Sequence, residues 1–334
     1  MKKIICIGSV TKDVFVLLKK SRILPGSTQT EKELMAFEFG AKEYAEGVTE
    51  KLGGNGANAA AGLALFGYRT FLFAAIGKDE TGKWIEKKLA KFKIKKNYLQ
   101  KKSGFQSESS VIVADLEKVD HIILRTGGSA AAFDYEKALK NFKEKVDFIT
   151  LASQKENWQN NFKLIKNFAE RKGARLAINP SGYQIAKTPK ELVGVLSEFE
   201  LVFLNRDEAL ELVEKVNGKA KDDPVELIKE LINLGAKKVI VTDGPGGAYV
   251  GADQNFWFIP TPKGRKYETV GAGDAFLSGF IAGFLETGDL KKALSFGMAS
   301  SSSVVAEVGA TEGLLKKKEL ESEAEKLIST IQKR

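Results

Sequence analysis

Histidine and cysteine occur once each in this chain, as His121 and Cys6. With one of each, a Cys/His zinc site cannot be assembled within the chain, and a triad built on histidine is disfavoured. No intrachain disulfide can form, which suits a reducing cytoplasm. Cys6 lies in Ile4-Ile5-Cys6-Ile7 and reads as a buried thiol. His121, within Val119-Asp-His-Ile-Ile-Leu124, reads as a strand or surface residue with no chemical role. Long apolar runs are also missing. The start Met1-Lys2-Lys3 imitates a signal peptide, but Lys12 and Asp13 cut the apolar stretch off. Nothing approaches the roughly 20 apolar residues of a membrane helix. There is no Gly-x4-Gly-Lys-Ser/Thr phosphate loop and no His-Arg-Asp or Asp-Phe-Gly pattern, which excludes P-loop enzymes and protein kinases. Carboxylates, hydroxyls, lysines, arginines and backbone amides remain to carry any chemistry.

What is present is ordinary globular material. The chain has 334 residues, 43% of them hydrophobic, enough for one large α/β domain with or without a small second one. The formal net charge is +9. Part comes from the run Lys91–Lys102 and part from Lys316, Lys317 and Lys318. Without zinc-finger spacing or interleaved aromatics, this reads as a solvated lysine-rich surface that also attracts anionic nucleotides, not as a nucleic-acid interface.

Strand-like runs at 1–8, 71–76, 148–152, 175–179, 201–204 and 239–242 alternate with helical patterns at 56–66, 82–92, 158–171, 207–213 and 224–234. Such alternation predicts a mostly parallel sheet covered on both faces. Segments 13–51 and 103–125 break the rhythm. They hold antiparallel-type strand material, including 109–114 and 121–125 with 115–120 as a turn. We expect them to form a small sheet over a core made of 1–12, 52–102 and 126–334. The tail from Lys316 to Arg334 reads as a charged helix.

The sharpest local signal is Thr269-Val-Gly-Ala-Gly-Asp274, opening a helical pattern. Its glycines leave the amides of Gly271, Ala272 and Gly273 bare, a pocket suited to a phosphate. Asp274, ionised at neutral pH at its ordinary pKa of about 3.9, either takes a proton from a hydroxyl or merely caps the helix. Gly53-Gly-Asn-Gly-Ala-Asn-Ala59 offers Gly54, Asn55 and Asn58 as readers of hydroxyl groups, or is a tight capped loop. It loosely matches a dinucleotide fingerprint, but residues 46–52 do not read as the buried strand that site needs. Asp13 follows the first strand, where ligands of parallel sheets gather, and either binds hydroxyls or caps a turn. Asn205 and Glu208, three apart at a helix start, suit Mg2+ through waters or form an ordinary cap. Thr242, Gly244 and Gly247 either follow a nucleotide phosphate or turn the chain.

Taken in this order, GGNGANAA at 53–60 and TVGAGDAFLSGF at 269–280 resemble the ribokinase-like (PfkB) family of carbohydrate and nucleoside kinases, over essentially the whole chain. The resemblance implies a three-layer α/β/α fold with a small β-sheet lid that often mediates a homodimer. It implies ATP and Mg2+ as cofactors and a small sugar or nucleoside as acceptor. It makes Asp274 the catalytic base, Gly271–Gly273 the anion hole, and Asp13, Gly54, Asn55 and Asn58 the holders of the acceptor. Asn205 and Glu208 would govern the Mg2+ environment, and Thr242, Gly244 and Gly247 would lie along the nucleotide. In many members an Asp in the place of Glu268 helps bind a monovalent cation such as K+; Glu268, one methylene longer, would keep that site in altered form or abolish it. The small residues 300–303, with Gly309-Ala310, resemble the loop flanking the adenine and cation sites, or pack helices closely. Arg125, closing a lid strand, is a further candidate contact. A nucleoside acceptor would want an aromatic lid, for which Phe15, Phe37, Phe39 and Tyr44 are available. A phosphosugar would want a basic pair beside the lid. A simple sugar or nucleoside is the favoured acceptor, a sugar phosphate the alternative. A dinucleotide-dependent oxidoreductase and a silent nucleotide or sugar sensor are the readings outside kinases.

Overall fold

The computed structural model describes residues 1–26, 33–152, 154–264 and 267–334. Residues 27–32 of the expected lid segment lie outside the described residues.

The chain's apolar runs become the middle of one large sheet. Its order is Gln332–Lys333, Asn255–Ile259, Ala248–Ala252, Lys238–Thr242, Leu201–Asn205, Arg175–Asn179, Phe148–Ala152, Lys3–Ile7, Arg69–Gly77 and Leu99–Lys102. From Lys238–Thr242 to Leu99–Lys102 every pairing is parallel. The three remaining strands continue it antiparallel. Alternation along a strand sends neighbours to opposite faces. Ile5 and Ile7 therefore join one buried cluster, with Phe71, Phe142 and Val202, while Ile4 and Cys6 join another, with Leu72, Phe280 and Ile240. Helices cover both faces, giving three layers. Each fully buried large aliphatic side chain contributes about 1.5–3 kcal/mol, so these two clusters fix the scaffold. Burial pushes the Cys6 thiol above its usual range, leaving an inert hydrophobe.

A second sheet draws strands from both irregular segments, in the order Gly47–Gly53, Thr11–Leu18, Ser109–Asp115 and Asp120–Arg125. It begins at Thr11 and ends at Gly53, slightly beyond the expected boundaries, because these strands run straight into the loops of the central sheet. One row crosses it in register: Lys51, Asp13, Ser110 and Arg125. The strand preceding the glycine loop is thus half-exposed in this outer sheet, unlike the central strand a dinucleotide fold requires. The tail differs from the expected single helix. The helix Lys317–Ile328 stops short, and Gln332–Lys333 returns to pair with the sheet edge. No helix among the described residues is long and apolar enough to cross a membrane.

Candidate active site

The helix Ala272–Thr287 opens without a side-chain cap. Gly271 precedes it at φ 81°, and a Cβ there would fall 2.2 Å from that of Ala310, so only glycine makes this turn. The amides of Gly271 and Gly273 have no hydrogen bond among the described residues. That of Ala272 is not bare as expected: it donates to the Thr269 carbonyl at 3.2 Å, closing the turn that presents the other two. Asp274, half-buried in the first helical turn, accepts from Asn58 Nδ2 at 2.8 Å. This bond joins the two glycine-rich segments across 216 residues of chain.

The carboxyl of Asp274 does not keep its ordinary pKa. Burial pushes it up to about 6 and the nearby charge of Asp13 adds to this, while the Asn58 hydrogen bond and Arg125 pull it down. It is still mainly ionised at neutral pH. Asp13 is buried, accepts from Thr11 Oγ1 at 2.6 Å and is hydrogen-bonded by Ser110. Burial raises it too, against those hydrogen bonds and Arg125. Its carboxyl packs directly on Gly53, where an added Cβ would lie 1.8 Å from Oδ2. The glycine loop is thus shaped around Asp13.

Gly54 opens the helix Asn55–Leu65. Asn55 begins that helix. Its Oδ1 accepts from Ser9 N, Ser9 Oγ and Gly56 N at 3.2, 3.0 and 2.9 Å, so that oxygen ties the first loop down. Asn58, by contrast, keeps a buried Oδ1 with no partner among the described residues.

Asn205 and Glu208 face one another. Asn205 Oδ1 accepts from Glu208 N at 2.8 Å, and Glu208 Oε2 accepts from Asn205 N at 2.9 Å, a reciprocal cap. Glu208 is nonetheless electrostatically close to Asp274. Burial pushes its carboxyl up to about 7 against the Asn205 hydrogen bond, with Asp207, Glu211 and Asp274 adding. Thr242 pairs in register with Asn205, so these two strands end side by side. Gly244 opens a tight turn whose carbonyl accepts from Thr261, and Gly247 closes it, donating to Gly244 O at 3.2 Å.

A cavity of about 610 Å³ opens at the carboxyl ends of the central strands, lined by Arg125 of the row that holds Asp13 but not by Asp13 or Asp274 themselves. Gly8, Ser9 and Ala75 form part of its wall, with the aromatics Phe133, Tyr135 and Tyr183. Glu108, Arg125 and Lys155 bring charge to it. Glu108 is buried with an unpartnered Oε2 among the described residues, and burial raises its carboxyl against the charges of Arg125 and Lys155. Sequence reasoning missed Glu108 and Lys155, since neither stands in a motif. The aromatics offered for a lid lie elsewhere: Phe15 is fully buried, while Phe37, Phe39 and Tyr44 are exposed.

A profile for pfkB family carbohydrate kinases matches residues 1–317. The chain belongs to the pfkB carbohydrate kinase family. It is 23% identical over 286 residues to an ATP-dependent 6-phosphofructokinase of Thermoanaerobacterium thermosaccharolyticum, covering 83% of this chain and 86% of the other. It is 24% identical over 259 residues to a ribokinase of Haemophilus influenzae, covering 77% and 82%. The structure of ribokinase from Giardia lamblia superposes with a TM-score of 0.77 at 18% identity, covering 98% of this chain and all of that one. This pfkB kinase is therefore an ATP-dependent phosphotransferase acting on a hydroxyl of a small sugar or nucleoside, and the ribokinase-like three-layer fold is its own.

Proposed function

We propose that Asp274 is the base of this kinase and that the amides of Gly271 and Gly273 receive the charge of the transferring phosphoryl group. The Asn58–Asp274 hydrogen bond carries the reading, because it brings the acceptor loop and the anion-hole loop to one point. The acceptor hydroxyl gives its proton to Asp274. Its oxygen forms a bond to the γ-phosphorus as the bond to the β–γ bridging oxygen breaks, and ADP leaves. Asp13 and Asn58 hold the acceptor's hydroxyls, Gly54 sets the loop that presents Asn58, and Asn55 holds that loop in place. The second sheet serves as the lid (13–51 with 103–125), limiting water's access to the phosphoryl group. Thr242, Gly244 and Gly247 lie along the nucleotide.

Mg2+ fits this site as an ion held chiefly by nucleotide phosphates and water. No group of three or more His, Cys, Asp or Glu among the described residues could hold a metal alone. Glu208, its ionisation disfavoured by burial and by three neighbouring carboxylates, is the residue a cation would relieve, with Asn205 keeping it oriented. When bound, the ion neutralises phosphate charge.

The acceptor has two readings. A sugar or nucleoside matches the aromatic part of the cavity wall. Arg125 and Lys155 supply the basic pair a charged acceptor would want, which supports a sugar phosphate or sugar acid as the second reading; the phosphofructokinase relative agrees with it. The lid's outer face carries exposed Val48, Val111 and Leu124, which supports a homodimer through the lid.

ATP consumption over a panel of sugars, sugar acids, sugar phosphates and nucleosides, with wild type and Asp274→Asn side by side, tests the reading. Turnover by the variant at the wild-type rate would remove Asp274 as base. No turnover with any acceptor would favour a silent sensor.

A further inference from the structure

The chain's single histidine has a partner. His121 Nδ1 lies 3.0 Å from Glu268 Oε1 and 3.5 Å from Thr269 Oγ1. Glu268 is 2% exposed and His121 is half-buried, so the contact ties the outer sheet to the loop 268–270 at the edge of the buried interior. The same Oε1 accepts from Thr269 N at 2.6 Å and from Val270 N at 3.0 Å. Nδ1 must therefore carry the proton, donating to the carboxylate. Gly271 follows next. The path runs from an outer strand, through one carboxylate oxygen, to the two amides immediately preceding the hole.

Register gives the contact its meaning. His121, Ile123 and Arg125 alternate onto the same face of their strand, and Arg125 shares a row with Asp13. One strand thus reaches the acceptor side with Arg125 and the anion-hole side with His121. Glu268 reaches His121 by virtue of its length. An Asp would draw the carboxylate back by one bond, about 1.5 Å.

This arrangement does not fit a monovalent cation at Oε1. Three N–H groups already point at that oxygen, and a cation cannot share it. Oε2 is buried with no partner among the described residues and is the one atom of this carboxylate left to an ion.

We propose that His121 is a positioning residue of the anion hole, supplying through Glu268 the support that the family resemblance assigns to a bound monovalent cation, so that phosphoryl transfer by this chain requires no potassium. The proposal rests on the kinase reading above, and its test includes a measurement that does not.

Steady-state kinetics in potassium chloride and in choline chloride at equal concentration should give the same kcat for wild type. His121→Ala should lower kcat about 10-fold in choline, the effect of losing roughly 1.4 kcal/mol of hydrogen-bond support to the loop, with acceptor KM unchanged. His121→Gln, which keeps an N–H donor, should recover most of it. Glu268→Asp, too short to reach His121, should become potassium-activated. Melting of the nucleotide-free protein supplies the second arm. Wild type should melt at the same temperature in both salts, and Glu268→Asp should melt higher in potassium. Wild-type activation or stabilisation by potassium would overturn the proposal, as would an unchanged kcat in His121→Ala. Failure of wild type to turn over any acceptor would count against the kinase reading alone, and the melting comparison would still decide this one.

Discussion

Two helices start close together in this molecule and start differently. Arg206–Asn217 opens on a reciprocal cap, in which Asn205 and Glu208 satisfy each other's backbone amides. Ala272–Thr287 opens on a glycine with no side-chain cap. A capped N-terminus has used its strongest donors on itself, whereas an uncapped one keeps them for a ligand. Both places carry an acid in the first turn, yet only Asp274 is bonded to a residue of the glycine-rich loop at 53–59. An acidic residue at a helix start is thus not informative alone. What distinguishes the two is whether the amides beside it are already spent.

The largest effect should come from the uncapped end. Asp274→Asn keeps an oxygen to accept from Asn58 and removes a carboxylate that burial makes costly to ionise. It should melt no lower than wild type at pH 8 while losing about 10²–10⁴ in kcat. Equal losses of kcat and stability, by turnover assay and thermal melting, would make Asp274 a structural residue and erase the contrast. A pH profile sharpens the same point. The folded carboxyl is raised to about 6, above its ordinary value, so a base at this position is progressively protonated below about pH 6. The rate constant kcat/KM should then fall about tenfold per pH unit on the acid side, a limb absent from the residual activity of Asp274→Asn. The sign for stability is opposite to that of an ion-paired carboxylate. Between its unfolded and folded pKa values the native state holds more protons than the unfolded one, so this group's contribution declines as pH rises through that window and levels off above about 6.

Next in size is Asp13. It lies against Gly53 and near Asp274 at the start of the uncapped helix. Asp13→Ala should weaken acceptor binding by roughly 10- to 100-fold, equivalent to losing one or two charge-assisted hydrogen bonds, with KM for ATP little changed. Calorimetric titration of the acceptor checks this; an unaltered Kd would take Asp13 out of the site.

The central sheet was readable from apolar runs alternating with helical patterns, because strands buried on both faces leave continuous hydrophobic text. The two glycine-rich segments were readable for a related reason: Gly53 and Gly271 sit where an added Cβ would collide with Asp13 or Ala310. Side-chain pairings across distant parts of the chain were not readable. His121 passed for an idle strand residue, and its meeting with Glu268 depends on the register of the outer sheet. Glu108 and Lys155 acquire significance only from the cavity they line together. The Asn205–Glu208 spacing was visible but equivocal, since the same three-residue offset serves a cap and a cation alike, and the cap is what their side chains form.

That equivocal pair carries the smallest expected effect and the finest test of the comparison. Asn205→Ala removes one arm of the cap and should cost about 1 kcal/mol of stability. Glu208 would lose the contact that orients its backbone but would remain beside Asp274. If this helix end spends its donors internally, kcat should change by no more than about threefold, and the KM for Mg-ATP should carry most of what loss there is. Thermal melting and ATP titration at saturating acceptor measure both quantities on one preparation. A large drop in kcat with unchanged melting would show that the Asn205 side chain leaves its cap during turnover. The two helix starts would then differ only until the nucleotide arrives.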